Sequence, residues 1–282
     1  MANTTRNLAI QLTSITKYFY KNNARMSAVE DVDLDIESGT FTSLIGPSGC
    51  GKSTLLNMMA GLTIPDAGQV TREGHPLEGL AVGVGYMTQH DTLLPWRTVE
   101  ENIRLPLEIN NGRRGTKSIS KDEINRRISA VLDLVQLSGF GKHLPREISG
   151  GMLKRTALAQ ALVYAQGTIL MDEPFGALDS QTRMELQRQL SNIWTSGART
   201  VVLVTHDIEE AIALSDRIVV MRADPGRIKT IIDVDLKRPR DPIAIRFESG
   251  FQNLFRQVWT EMHPDDPAGR TRHDGAERPQ EP

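Results

Sequence analysis

The chain has 282 residues, 39% hydrophobic and 24% charged, which suits a soluble globular protein of one large or two small domains. Lys and Arg number 33 against 35 Asp and Glu, a net charge of −2 that argues against a mainly nucleic-acid-binding surface. No run approaches the ~18 apolar residues of a membrane span, the first residues lack the apolar core of a signal peptide, and a single cysteine excludes an internal disulfide framework and suits a reducing cytoplasm.

Leu8, Ile10 and Leu12 alternate with other residues. So do Val32, Leu34 and Ile36, interleaved with Asp31, Asp33 and Asp35; a period of two predicts strands of a half-buried, edge-like sheet. Phe41 to Ile45 reads as a buried strand. It enters Gly46-Pro47-Ser48-Gly49-Cys50-Gly51-Lys52-Ser53-Thr54, which fits the phosphate-cradling pattern G-x-x-x-x-G-K-[ST], and a helix-compatible run to Ala60 follows. Glycines let the backbone curl so that successive N–H groups converge on phosphate oxygens. The helix start adds its positive end. Lys52 can reach the β- and γ-phosphates, and the Ser53 hydroxyl can ligate Mg²⁺. The strand-loop-helix setting is what the motif requires, so the chain is expected to bind a nucleoside triphosphate. Cys50 is expected to face that nucleotide, so thiol alkylation should inhibit and MgATP should protect.

Val82 to Met87 reads as another strand. From about Leu93 to Tyr164 the pattern turns helical, with Ile124, Ile128, Val131, Leu132 and Val135 at helical spacing and a polar, exposed loop from Asn110 to Lys121. Within this block, Ile148-Ser149-Gly150-Gly151-Met152 precedes an apolar helical run. Ser149 is either a simple N-cap or part of a second phosphate-binding helix end. Strands then return at Thr168–Met171, Thr200–Thr205 and Arg217–Met221, with a helical run carrying Leu186, Leu190, Ile193 and Trp194 between the first two. Such alternation argues for a parallel sheet interrupted by a helical insert. The strand from Thr168 ends in Asp172 and Glu173. Hydrolysis needs one carboxylate for the Mg²⁺ shell and another to orient and polarise water; Asp172 fits the first role and Glu173 the second. Phe247, Phe251, Leu254, Phe255, Val258 and Trp259 form a helical apolar stripe that packs on the chain's own core or, alternatively, on a partner. The tail from His263 to Pro282 reads as disordered.

Gly46 to Thr54, Gln89, Ile148 to Met152, Met171 to Pro174, Ala177-Leu178-Asp179 and His206 stand in the order and spacing of an ABC-transporter ATP-binding subunit, a resemblance covering about residues 8 to 240. It implies an α/β P-loop NTPase fold: a RecA-like mixed sheet with an N-terminal antiparallel β subdomain and an inserted α-helical subdomain at about residues 91–165. The ATPase domain would span residues 1–240, with a C-terminal helix at 241–262 and a disordered tail at 263–282. It further implies ATP and Mg²⁺ as ligands, and two copies associating head to tail through ATP. Ser149, Gly150 and Gly151 of one copy would meet the γ-phosphate held by the other's phosphate loop. Gln89 would sense Mg²⁺ and the attacking water, His206 would hold the γ-phosphate, and Asp179 would cross the interface. Phe19 would stack on adenine, with Tyr18 and Tyr20 as alternatives. The chain departs from the usual Leu-Ser-Gly-Gly-Gln at Ile148 and Met152, and Gln160 stands where many relatives carry an arginine in the signature helix, a change expected to alter a surface salt bridge.

His90-Asp91-Thr92-Leu93-Leu94-Pro95-Trp96 and Asp224-Pro225-Gly226-Arg227-Ile228 resemble the importer branch for nitrate, taurine, aliphatic sulfonates and similar small solutes. The resemblance implies separate transmembrane permease subunits, an extracytoplasmic substrate-binding protein, no nucleic acid, and a peripheral location on the cytoplasmic side of the inner membrane. Leu93, Leu94 and Trp96 would then be either core or a socket for a permease helix. The rival readings are a soluble ABC ATPase not coupled to transport, a P-loop kinase of a small metabolite, and an inactive scaffold.

Overall fold

A computed structural model describes residues 7–21, 24–89, 92–111, 118–176, 178–195 and 199–263. Strand β1 (Leu8–Lys21) pairs antiparallel with β2 (Ala24–Glu37). Ile10, Leu12 and Ile15 of β1 and Val32, Leu34 and Ile36 of β2 are buried, while Asp31 and Asp33 face water, as the period of two requires. After β3 (Phe41–Ile45) and α1 (Lys52–Met59) come β4 (Ala67–Arg72) and β5 (His75–Pro76), which complete a four-stranded sheet in the order β2-β1-β4-β5. Neither β4 nor β5 is visible in the sequence, because Val70 is the one buried apolar residue in the pair.

The remaining elements in chain order are β6 (Val84–Met87), α2 (Val99–Asn111), α3 (Lys121–Leu134), α4 (Gly150–Tyr164), β7 (Thr168–Asp172), α5 (Ser180–Thr195), β8 (Thr200–Val204), α6 (Ile208–Leu214), β9 (Arg217–Arg222), β10 (Arg227–Asp233) and α7 (Ser249–Met262). A second sheet has the order β10-β9-β3-β8-β7-β6. All its pairings are parallel except that of β10 with β9. β3, β7 and β8 are buried at every residue, the signature of strands covered on both faces. This is the mixed α/β fold of P-loop NTPases.

Helices α2, α3 and α4 share one apolar cluster that includes Ile103, Ile128, Val131, Leu158 and Leu162 and runs on to Ile169, Met171 and Leu203 of the sheet. The helical block is thereby fused to the sheet through α4. A Cβ at Gly85 would lie 2.4 Å from the Ala161 carbonyl oxygen, so β6 can approach α4 this closely only with glycine there. The ends of the polar connection between α2 and α3 are tied by Asn111, whose side chain accepts from the Ile119 N–H and donates to the Ile119 carbonyl, both at 2.8 Å. Residues 112–117 of the expected loop, like the tail after His263, lie outside the described residues.

The C-terminal apolar stripe packs on the chain itself. Phe251 and Val258 are buried with Ile208, Ile212 and Val220, and Leu254, Phe255 and Trp259 pack at their edge; Phe247 stays exposed. Between β10 and α7 the chain crosses the C-terminal end of α6. There Arg240 donates to the carbonyls of Ile212, Ser215, Val234 and Leu236. Helix ends leave such carbonyls without partners, and a buried one is costly. Burial lowers the Arg240 guanidinium to a pKa of about 10, which leaves it charged at neutral pH. Arg240→Met is therefore expected to lower unfolding stability by about 3 kcal/mol, read as a lower urea midpoint.

Candidate functional site

The phosphate loop leaves β3 and enters α1. Gly46, Gly49 and Gly51 have φ of 153°, 81° and 92°, conformations that side chains resist. At Gly51 a Cβ would also lie 2.3 Å from Val29 Cγ1, so β2 presses directly on the loop. α1 has no side-chain cap. No hydrogen bond among the described residues takes up the N–H groups of Gly49, Gly51, Ser53 or Thr54, while the Lys52 N–H is directed at the Cys50 sulfur. A row of unpaired N–H groups at a helix start is an anion cradle. The Lys52 amine lies along it, 2.8 Å from the Gly46 carbonyl and 3.0 Å from that of Pro47.

Cys50 corrects an expectation. Its side chain is fully buried, 3.7 Å from Lys52 Nζ, and packs with Leu55, Leu56 and Met221 rather than toward the opening of the loop. Burial also raises the thiol pKa, against the lowering effect of Lys52. Alkylation of the folded protein at pH 7 is accordingly expected to be slow, limited by local opening and not by MgATP occupancy; mass spectrometry of a timed iodoacetamide reaction reads this directly.

The sheet brings the remaining groups to the loop. β3, β8, β7 and β6 are parallel neighbours, so their C-terminal ends share one edge. β3 delivers the phosphate loop, β8 delivers Thr205 and His206, β7 delivers Asp172 and Glu173, and β6 leads to Gln89. Ser53 Oγ donates to Asp172 Oδ1 at 3.1 Å. Gln89 Nε2 donates to Glu173 Oε2 at 3.0 Å, and His206 Nδ1 lies 3.4 Å from Glu173 Oε1. Glu173 is held in the left-handed region, φ 48°, with its N–H bonded to the Val204 carbonyl at 2.9 Å. Strain of this kind persists where surrounding structure over-determines it, commonly at active sites. The donor set suits a triphosphate with a hard divalent cation: N–H groups and an amine for phosphate, and the Ser53 hydroxyl, the Asp172 carboxylate and the Gln89 amide oxygen for Mg²⁺. Tyr86, beside Asp172, donates to Asn57 Oδ1 at 2.6 Å; burial and then the Asp172 charge raise its phenol pKa, so it stays a neutral structural donor.

Other expected residues lie elsewhere on the chain. Ser149 caps α4, accepting from the Met152 N–H at 3.3 Å, and the exposed Gly150 and half-buried Gly151 begin its first turn. None of the three shares a described hydrogen bond with the phosphate loop, Glu173 or His206. A Cβ on Gly151 would meet Thr182 Cγ2 at 2.7 Å, which sets this turn against the start of α5. Asp179 caps that helix, accepting from the Thr182 N–H at 3.0 Å, and that bond holds its carboxyl below the usual range. Ala177 lies outside the described residues, as do His90 and Asp91. Met152 packs against the core in place of a polar side chain. Gln160 carries no charge and so forms no ion pair; its half-buried amide donates inward to the Asn102 carbonyl at 3.1 Å. Among the N-terminal aromatics, Phe19 is 48% exposed and Tyr20 75%, whereas the Arg25 guanidinium lies 4.1 Å from the Tyr18 ring centroid.

Sequence reasoning missed two groups. Lys154 of α4 is buried, and its amine donates to the Gln89 carbonyl at 2.9 Å, which ties the helical block to the Gln89 turn. Its place among apolar residues of α4 was the available signal. Glu210 of α6 lies behind His206, bonded to Thr205 and Gln187, and nothing local in its segment marks it as buried.

The model of the ABC transporter family matches residues 29–176. An uncharacterized ABC transporter ATP-binding protein of Methanocaldococcus jannaschii is 42% identical over 84% of this chain and 86% of its own length. The aliphatic sulfonates import ATP-binding protein SsuB of Bacillus anthracis is 40% identical over 89% of this chain and 96% of its own. Among solved structures, a dimeric post-hydrolysis state of an ATP-binding cassette bound to ADP and Pi superposes with a TM-score of 0.72 at 32% identity, covering 81% of this chain and all of that one.

Proposed function

The chain belongs to the ABC transporter family, and from that membership we propose that it is the ATP-hydrolysing subunit of an importer for a small sulfonate or a similar solute such as nitrate or taurine. The observation that carries the reading is the Glu173 carboxylate, held between Gln89 and His206 at the edge that also presents the phosphate loop and Asp172. In this reading the loop N–H groups and Lys52 bind the phosphates. Ser53, Asp172 and the Gln89 amide oxygen would hold Mg²⁺, which would supply charge neutralisation for the phosphates when bound. Glu173 orients a water and accepts its proton, and Gln89 and His206 fix where that carboxylate points. Phe19 stacks on adenine.

The Ser149-Gly150-Gly151 turn and Asp179 adjoin one another through Thr182, while the phosphate loop and Glu173 share no described hydrogen bond with that turn. A second copy, set head to tail, would supply the turn, in keeping with the dimeric cassette that this chain resembles. Lys154 couples the Gln89 turn to α4, so closing the dimer would move the helical block.

Permease docking has physical support in a groove of about 350 Å³ between the sheet and the helical block, lined by Leu62, Leu80, Tyr86, Leu105, Pro106 and Ile109. Leu62, Leu80 and Ile109 are each more than half exposed, which leaves an apolar face open to a partner helix. No helix among the described residues is long and apolar enough to cross a membrane. As the ATP-binding subunit of an importer, like the SsuB relative, the chain would attach peripherally on the cytoplasmic side. The solute itself would be chosen by the permease and an extracytoplasmic binding protein. Leu93 and Leu94 are half-buried, with the Leu94 backbone gripped by Asn102, and Trp96 is 72% exposed. Ile109→Asp is expected to abolish co-purification with co-expressed membrane subunits while basal ATPase activity is kept. Recovery of the wild type with ribosomes or DNA, and not with membrane subunits, would favour the uncoupled ATPase instead.

A further inference from the structure

Two turns at the site edge are joined by a side chain that the reading above leaves without a role. α5 begins after Asp179 and α6 begins after His206-Asp207, so the two helix starts carry an interface residue and a γ-phosphate residue respectively. Asp207 caps α6, its Oδ1 accepting from the N–H groups of Glu209 at 2.8 Å and Glu210 at 3.2 Å. Arg183, in the first turn of α5, reaches both turns. Its Nη2 donates to the Leu178 carbonyl at 3.2 Å, the residue before Asp179. Its Nη1 lies 3.7 Å from Asp207 Oδ2, the residue after His206. Its Nε lies 4.0 Å from Glu210 Oε1.

Glu210 is anchored from below. It is 4% exposed; Thr205 Oγ1 donates to its Oε2 at 2.7 Å, and Gln187 Nε2 donates to its Oε1 at 3.1 Å. Thr205 Oγ1 in turn accepts from the Asp207 N–H at 3.0 Å, so the turn bearing His206 is gripped on both sides. Only the Leu178 contact is a hydrogen bond; Asp207 and Glu210 lie at ion-pair distance, set around a planar guanidinium whose rigid fork a flexible lysine ammonium does not reproduce.

We propose that Arg183 is a positioning residue for hydrolysis: it locks the turn carrying Asp179 to the turn carrying His206, with Glu210 as its buried counter-charge. Contact of Asp179 with a second copy is thereby transmitted to the imidazole that faces Glu173. The proposal rests on the assignment of Asp179 and His206 to the working site.

The charged groups that face Glu210 are Arg183 from α5, and Asp207 and His206 from the turn before α6. Burial pushes its carboxyl up to about 7. It therefore ionises, and strengthens its hold on Arg183, only as pH rises through neutrality. The same shift has the opposite effect on stability: a carboxyl whose folded pKa lies above its unfolded value of about 4.3 contributes stability at low pH that is lost as pH rises through the folded pKa.

The test uses steady-state phosphate release by the full chain. Arg183→Met is expected to lower kcat about tenfold with KM for MgATP within about twofold, and Arg183→Lys to recover part of the loss. Glu210→Gln is expected to lower kcat about threefold at pH 8, to remove the fall in kcat as pH drops from 8 to 6, and to melt a few degrees higher than wild type at pH 8. A merely structural pair would instead lower kcat and melting temperature together, with Arg183→Lys no better than Arg183→Met, and that pattern overturns the proposal. If Arg183→Met is insoluble, Arg183→Gln is read in the same way. His206→Ala serves as the reference. Inactive His206→Ala beside Arg183→Met at full kcat overturns this proposal alone. Fully active His206→Ala overturns the site assignment and this proposal with it.

Discussion

Glu173→Gln is expected to lower steady-state ATP hydrolysis at least about a hundredfold while ATP affinity stays within about twofold of wild type. The substitution is nearly isosteric. The backbone at Glu173 is fixed by its bond to Val204, so the new amide occupies the place of the carboxylate. Its oxygen can still accept from Gln89, as the Glu173 carboxylate does at 3.0 Å. What is lost is the capacity to take a proton from water and the negative charge facing His206. Neither is needed for phosphate binding, which falls to the loop N–H groups and Lys52. With binding intact and hydrolysis blocked, the ATP-bound state accumulates. Scattering or size-exclusion of the variant with ATP should then report a persistent dimer, and ADP should not give one. Wild-type phosphate release by this variant, or particles that stay monomeric at saturating ATP, would remove Glu173 from the catalytic role.

The site was legible in the sequence because each of its parts lies at or just after a strand end, and the strands themselves are plain. Phe41–Ile45, Thr168–Asp172 and Thr200–Val204 are short apolar runs, and runs buried on both faces look alike whether read from sequence or structure. Once those strands are parallel neighbours, their loops must meet at one edge, and Lys52, Asp172, Glu173 and His206 follow. What stayed hidden depends on contacts between distant segments. β10 carries Arg227, Lys229 and Thr230 and buries only Ile232, so its pattern does not alternate. α6 has seven residues with Glu209 and Glu210 at its start, too short to show a period. The direction of the Cys50 thiol is set by the core beneath the loop, not by the motif. Gln160 finds the Asn102 carbonyl on another helix. The same holds for Arg183 and Glu210, which the sequence separates and the starts of α5 and α6 bring within 4.0 Å.

Lys52→Ala is expected to weaken ATP binding about a hundredfold, or about 2.7 kcal/mol, in a calorimetric titration with Mg²⁺. The side chain is 7% exposed and lies along the loop, its amine within 3.0 Å of the Gly46 and Pro47 carbonyls. That position makes it the one cation of the loop that can follow the chain of N–H groups toward the terminal phosphates. A charge at so enclosed a place acts through a lower effective dielectric than a surface lysine does, so its loss is felt more strongly. The loop should keep its shape in the variant, because its curvature comes from the φ values of Gly46, Gly49 and Gly51 and from the packing of Val29, not from the amine. The N–H cradle therefore survives, and ADP affinity should fall less than ATP affinity, since Lys52 serves the β- and γ-phosphates together. Lys52→Arg should not restore binding: the Lys52 amine is already 3.7 Å from Cys50 Sγ, and a guanidinium is wider than the space the loop leaves. Equal affinities for ATP in wild type and Lys52→Ala would contradict the role given to this loop, and equal losses for ATP and ADP would place the amine at the β-phosphate alone.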